Sequence, residues 1–128
     1  MSVLLDTSAF LWWAAGDRKL SKAVIKIIED SDTEIFLSAA SAWEISTKVR
    51  IGKLPEAEWM GGQFRRILLS QSFRELPISM EHADLAGALP GDHRDPFDRL
   101  LAAQSRLENL TIATNDAALK SLGIKAVW

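Results

Sequence analysis

Cysteine is absent from the 128 residues, which excludes disulfides, thiolate catalysis and zinc sites built on cysteine. Histidine occurs only twice, at His82 and His93, without a metal-ligand spacing, so both read as structural or surface residues. No apolar run approaches the roughly 20 residues a membrane span needs. The start, MSVLLDTSAF, has no basic lead-in, and Asp6 interrupts its apolar run, so it does not read as a signal peptide; a cytoplasmic protein is expected. No Gly-rich phosphate loop follows the first apolar run, which removes a nucleotide-binding reading. Excess positive charge is missing too. At a net charge of −2, the molecule as a whole does not coat nucleic acid nonspecifically, and such a partner would need a local basic patch, a metal ion, or both. Tyrosine is absent, whereas tryptophan occurs five times. Trp is favoured at interfaces, but core burial is the simplest reading of each one taken singly.

What is present is a core-forming composition, 48% hydrophobic over a length that suits one domain spanning residues 1–128. Apolar strand-like runs alternate with helical patterns. SVLLD (2–6) precedes a helical TSAFLWWAAGD ending near Gly16, and Leu20, Val24, Ile27 and Ile28 then line one face of a second helix with Ser21 as its N-cap. TEIFLS (33–38) is followed by the helical SAASAWEISTKVRIG; a helix is expected over 56–72 despite Gly61–Gly62; ELPIS precedes a helical SMEHADLAGAL. PFDRLLAAQSRLEN, the strand LTIAT, a short helix NDAALKSLG and a terminal KAVW strand complete the chain. Such alternation implies crossovers and a mostly parallel sheet covered on both faces, with ligands gathered beyond the carboxyl ends of the strands.

Four acids fall at that expected edge. Asp6 ends SVLLD, Glu44 lies in the first turns after TEIFLS, Asp98 opens a helix, and Asp116 follows LTIAT in TND. Hard cations such as Mg²⁺ take oxygen ligands, and a bare cluster of like charges repels, so a divalent ion is the natural complement. In phosphodiester cleavage such an ion activates water and screens the scissile phosphate. Each acid also has a capping alternative. Asp95 resembles an N-cap with Pro96 at the first helical position. Ser41-Ala-Trp-Glu44 matches a capping box, Glu44 and Lys48 are spaced for an i,i+4 ion pair, and Asp116 or Asn115 could open the short helix. Asp6 is the hardest to explain as a cap, since Thr7 or Ser8 could fill that role. A phosphatase of the haloacid dehalogenase type also ends its first strand in Asp, but that chemistry wants a second Asp two residues on, where this chain has Ser8.

Taken together, LLDTSAFLWW, SAASAWEISTKVRIGKL, PISMEHADLAGALPGDHRDPFDRLLAAQ and LTIATND resemble PIN-domain proteins, and more closely the VapC-type toxins of bacterial toxin–antitoxin pairs. The likeness runs almost end to end. It implies a three-layer α/β/α sandwich that cleaves RNA with Mg²⁺ or Mn²⁺, forms a homodimer and is held by a small antitoxin protein. By motif, the family's acids are Asp6, Glu44 and Asp98, with Asp116 in the variable fourth position and Asn115 leaving that register open by one residue. The implied roles are direct coordination by Asp6 and Asp98, water positioning or water-mediated ligation by Glu44, and an outer-shell or second-ion role for Asp116. Thr7 and Thr114 would hydrogen-bond these carboxylates or a phosphate oxygen. Asp95 is then the cap.

Lys48, Arg50 and Lys53, with Arg94 and Arg99, offer basic ground for an RNA backbone or else a solvated surface; Arg65–Arg66 reads as an exposed helix face. Trp12 and Trp13 are adjacent and cannot share one core stripe, so either one faces a dimer or antitoxin surface or the helix is buried on two sides. The alternative of another class is a PIN fold that has lost turnover and acts by binding RNA or protein, against which the full set of matching acids argues.

Overall fold

The computed structural model describes all residues from 1 to 128. Its centre is strand β1, Ser2–Leu5, flanked by β2 (Glu34–Ser38) and β4 (Thr111–Ala113); β3 (Arg74–Leu76) and β5 (Ala126–Val127) form the edges. The strand order is β3-β2-β1-β4-β5 and every pairing is parallel, with Leu4 opposite Phe36 on one side and Ile112 on the other. A central parallel strand must be apolar on both faces, which is why SVLL shows no alternation. Val3 and Leu5 point into one core with Phe10, Val24, Ile35, Leu37 and Ile45. Leu4 points into the other, with Leu101, Ala102, Ile112 and Leu119. Two cores on opposite sheet faces make the three-layer α/β/α sandwich, each large buried side chain contributing roughly 1.5–3 kcal/mol.

Helices α1 (Thr7–Ala15), α2 (Lys22–Glu29), α3 (Ala39–Arg50), α4 (Phe64–Gln71), α5 (Met80–Ala88), α6 (Pro96–Glu108) and α7 (Ala117–Lys120) cover the sheet. The chemistry of their ends explains most boundaries. Gly16, at φ +63°, closes α1 in a left-handed cap, and the Ser21 hydroxyl accepts from the Val24 N–H to start α2, both as the sequence indicates. The helix expected over 56–72 is instead a 3-10 turn at Pro55–Met60 followed by α4. Gly61–Gly62 separates them, and Gly62 takes φ +74°, a value that a continuing helix excludes.

Two further expectations are corrected. The Ser41–Glu44 capping box does not form, because α3 begins earlier: the Ser38 hydroxyl accepts from the Ala40 N–H, leaving Ser41 buried inside the helix. None of the five tryptophans is fully buried. Trp43 and Trp59 are exposed, while Trp12, Trp13 and Trp128 are half-buried. Trp12 packs edge-on against Trp128, and Trp13 tilts against Phe73 while its indole N–H donates to Gln71. Helix α1 is therefore covered on two sides, which resolves the adjacency of the pair.

Candidate active site at the carboxyl edge of the sheet

Strand order reverses between β1 and β4: the chain steps from β1 outward to β2 and β3, then returns to β4 and β5 on the other side. Connections diverge at such a switch point, leaving a crevice beyond the strand ends. Asp6 leaves β1 there, its backbone N–H bonded to the Ala113 carbonyl of β4 at 3.1 Å. Thr114 and Asp116 leave β4 beside it. Glu44 arrives from the second turn of α3, after β2. Asp98 does not sit at a strand-to-helix junction as expected, since α6 follows α5 through loop 89–95. Helix α6 reaches the same edge because it precedes β4 by two residues and runs antiparallel to it.

The acids differ in what holds them. Asp6 is buried and is itself the N-cap of α1, accepting from the Ala9 N–H at 2.7 Å, so the role expected of Thr7 or Ser8 belongs to it. Thr7, expected to bond a carboxylate, instead donates to the Ser41 hydroxyl at 2.9 Å. Thr114 is fully buried; its hydroxyl faces Asp6 and accepts from the Asp116 N–H. Glu44 is buried, and the Lys48 ammonium reaches it at 2.6 Å in the expected i,i+4 pair. Asp95 caps α6 by accepting from the Phe97 and Asp98 N–H groups, which leaves Asp98, in the first turn, free of capping duty. Asp116 caps α7 through the Ala118 N–H and is exposed, whereas Asn115 makes no cap.

Burial is the largest influence on the two central acids. It pushes Asp6 above the usual carboxylate range, against the lowering effect of the Thr114 hydroxyl and the Ala9 N–H, and the charges of Asp116 and Glu44 push the same way. Burial likewise raises Asp98 to about 6; His93 opposes it, while Asp95, Asp116 and Glu44 add repulsion. Asp6 and Asp98 thus each feel Glu44 and Asp116, so the four acids share one electrostatic neighbourhood. Desolvated like charges of this kind favour a bound cation. The donor set is all oxygen and suits a hard ion. No three acidic or histidine side chains converge tightly enough to cage one by themselves.

Several neighbours were not legible in the motifs. His93, read as structural or surface, places Nε2 3.0 Å from the Asp98 carboxylate. His82 is structural as expected: it completes a capping box with Ser79 and bonds to Glu108. Arg99, counted as basic ground, spends its guanidinium on backbone carbonyls of α5 and the following loop. Lys48 is engaged by Glu44, and Arg50, Lys53 and Arg94 are exposed, Arg50 at the far end of α3 from the acidic edge; Arg65 is an exposed residue paired with Glu75. Trp43 and Phe97 meet edge-to-face at 4.9 Å, tying α3 to the first turn of α6 between Glu44 and Asp98. A cleft of about 390 Å³ adjoins Glu44 and Lys48, walled by α1 and the 3-10 turn through Leu11, Trp12, Leu54 and Trp59.

Fold and site together define an α/β protein with an acidic crevice at the switch point of a parallel sheet. The PIN domain family model matches residues 3–125, and the chain belongs to that family. It is 29% identical over 126 residues to Ribonuclease VapC22 of Mycobacterium tuberculosis, covering 94% of this chain and 91% of that one. It is also 41% identical to Ribonuclease VapC16 of the same organism, over 64 residues that make up 47% of this chain and 41% of the relative. Among solved structures it shares its fold with a chain of VapBC2 from Rickettsia felis bound to a DNA fragment from their promoter, at TM-score 0.72 and 18% identity, covering 99% and 98% of the two chains. A chain of FitAcB from Neisseria gonorrhoeae superposes at TM-score 0.67 with 21% identity, covering 98% and 96%.

Proposed function

We propose that the protein is a divalent-metal-dependent endoribonuclease, the toxin of a toxin–antitoxin pair, with residues 1–128 acting as one domain. The observation that carries this reading is the gathering of four acids, two of them with pKa raised by burial and by the charges of neighbouring acids, at the switch-point edge of a PIN fold whose relatives are named ribonucleases. Asp6 and Asp98 would hold Mg²⁺ or Mn²⁺ directly, Glu44 through water, and Asp116 from the rim. Such an ion would lower the pKa of a bound water and screen negative charge on the phosphate. The chain's own residues do the rest. Glu44, buried and paired with Lys48, would align or deprotonate the attacking water. The Thr114 hydroxyl steadies Asp6. Arg94, exposed in the loop that leads to Asp98, would offer the RNA backbone positive charge, and Arg50 and Lys53 are further exposed cations an RNA strand could meet. The names of the VapC relatives and of the VapBC2 complex support an antitoxin protein as partner, and family resemblance supports a homodimer and action in the cytoplasm.

The carboxylates do not already converge on one point, which is the observation favouring a binding module without turnover. One assay separates the two readings. Purified protein is incubated with a mixed RNA pool in Mg²⁺, Mn²⁺ or EDTA, with Asp6→Asn and Asp98→Asn alongside. Divalent-dependent cutting that both variants lose is the expected result; undiminished cutting by either variant removes that residue from the site. Absence of cutting by the folded, antitoxin-free protein in every condition sinks the nuclease reading.

A further inference from the structure

We infer that Arg99 and His93 form a positioning device for the Asp98 carboxylate, with Arg99 holding the loop that carries His93 and His93 holding the carboxylate. The inference rests on the metal-site reading above and names residues that it does not contain.

Loop 89–95 joins α5 to α6 and brings His93 against Asp98. No backbone hydrogen bond reaches residues 90–94, and Gly91 takes φ +109°, a conformation that only glycine adopts readily. The loop's position therefore depends on side chains. Arg99, one residue past Asp98, provides the tether. Its Nε donates to the Ala86 carbonyl at 2.8 Å and its Nη2 to Leu89, both at the carboxyl end of α5, while Nη1 donates to the His93 carbonyl at 3.0 Å. Helix carboxyl ends leave carbonyls unpaired and attract cations. A planar fork with several donors can meet two of them and the loop at once, which a lysine ammonium on its flexible stem does not reproduce.

His93, so placed, puts Nε2 3.0 Å from Asp98 Oδ2; both side chains are largely covered, at 19% and 16% exposure. The other carboxylate oxygen takes no hydrogen bond within the chain and remains available. An imidazole N–H on one oxygen of a liganding carboxylate fixes its rotamer, and loss of such a partner typically weakens metal binding by about 10–100-fold. Arg99 is thus a positioning residue for the site rather than a contact to RNA.

The test is calorimetric titration of Mn²⁺ into wild type, Asp98→Asn, His93→Ala, His93→Gln, Arg99→Lys and the His93→Ala/Arg99→Lys double variant, with RNA cleavage kinetics in parallel. His93→Ala and Arg99→Lys should each bind Mn²⁺ about tenfold more weakly. The double variant should be no weaker than the weaker single one, because both act through one contact. Cleavage should lose kcat with KM for RNA unchanged, and His93→Gln, which keeps an N–H, should recover most of the loss. Arg99→Lys binding Mn²⁺ like wild type, losses that add in the double variant, or an Arg99→Lys effect confined to KM and salt dependence would each overturn the inference. If Arg99→Lys does not fold, the His93 pair decides: His93→Ala binding Mn²⁺ like wild type refutes the device, and a loss that His93→Gln recovers supports it. Wild type that neither binds Mn²⁺ nor cuts RNA sinks the nuclease reading instead, an outcome distinct from all of these.

Discussion

Removing the charge of Asp98 should stabilise the metal-free protein, and the size of the effect follows from the site's electrostatics. Burial and neighbouring acids raise Asp98 from 3.8 to about 6. Between those values the folded state binds more protons than the unfolded chain, so stability falls as pH rises through the window. Above about 6 the penalty of the buried charge is fully present; below 3.8 the carboxyl is protonated in both states and the penalty is gone. A shift of roughly two units corresponds to about 3 kcal/mol at 1.36 kcal/mol per unit, and relaxation of the site reduces this, so about 1–3 kcal/mol is expected. The asparagine side chain keeps an oxygen to accept from His93 Nε2, so Asp98→Asn changes charge with little change of shape. Urea unfolding of EDTA-treated wild type and Asp98→Asn should show the variant more stable by that amount at about pH 8, with the gain shrinking towards zero near pH 4. Adding Mn²⁺ should reverse the order, because only wild type retains the carboxylate. A variant no more stable than wild type under the alkaline condition, or a gain that does not depend on pH, would refute the electrostatic account of the site.

Other outcomes follow from the same geometry. Asp95→Ala removes the cap of α6 and should cost about 1 kcal/mol in urea unfolding, while divalent-dependent cleavage survives; loss of cleavage in a folded protein would mean that Asp95 is a ligand. Gln104 is fully buried and joins the Ser38 hydroxyl at 2.5 Å to the Pro77 carbonyl at 3.2 Å, so Gln104→Ala, which removes buried volume and leaves those groups unpaired, should cost roughly 2–4 kcal/mol by the same measurement. Arg94 is exposed, so Arg94→Ala should leave stability within about 0.5 kcal/mol. In RNA binding at varied salt it should lower the logarithmic salt slope by about 1; an unchanged slope would place Arg94 outside the RNA path.

Local chemistry in the sequence was enough for the layout. SVLL, EIFLS and TIA are short apolar runs, and runs of that kind alternating with helical periodicity admit little besides a parallel sheet with helices on both faces. Ser21 and Asp95 are caps because an oxygen two or three residues ahead of an unpaired N–H is a local relation, readable without the fold. Asp6, Glu44 and Asp116 could be assigned to one edge for a similar reason, because parallel topology carries residues after β1, β2 and β4 to the same side, whereas Asp98 follows α5 and reaches that edge only through the course of α6. The helix at 56–72 failed where two glycines outweighed a helical pattern. Tertiary structure alone decided the order β3-β2-β1-β4-β5, and with it the crevice between β1 and β4. It alone set the partners of side chains with several equivalent options. The hydroxyls of Ser38 and Ser41 look alike in sequence, but one caps α3 and the other receives Thr7. Arg99 could have faced solvent or RNA, and it turns to unpaired carbonyls because α5 ends within its reach. His93 meets Asp98 only because that tether folds the loop back. Spacing along a chain defines which backbone groups are near one another, whereas the competition among distant donors and acceptors is resolved only when packing brings them together.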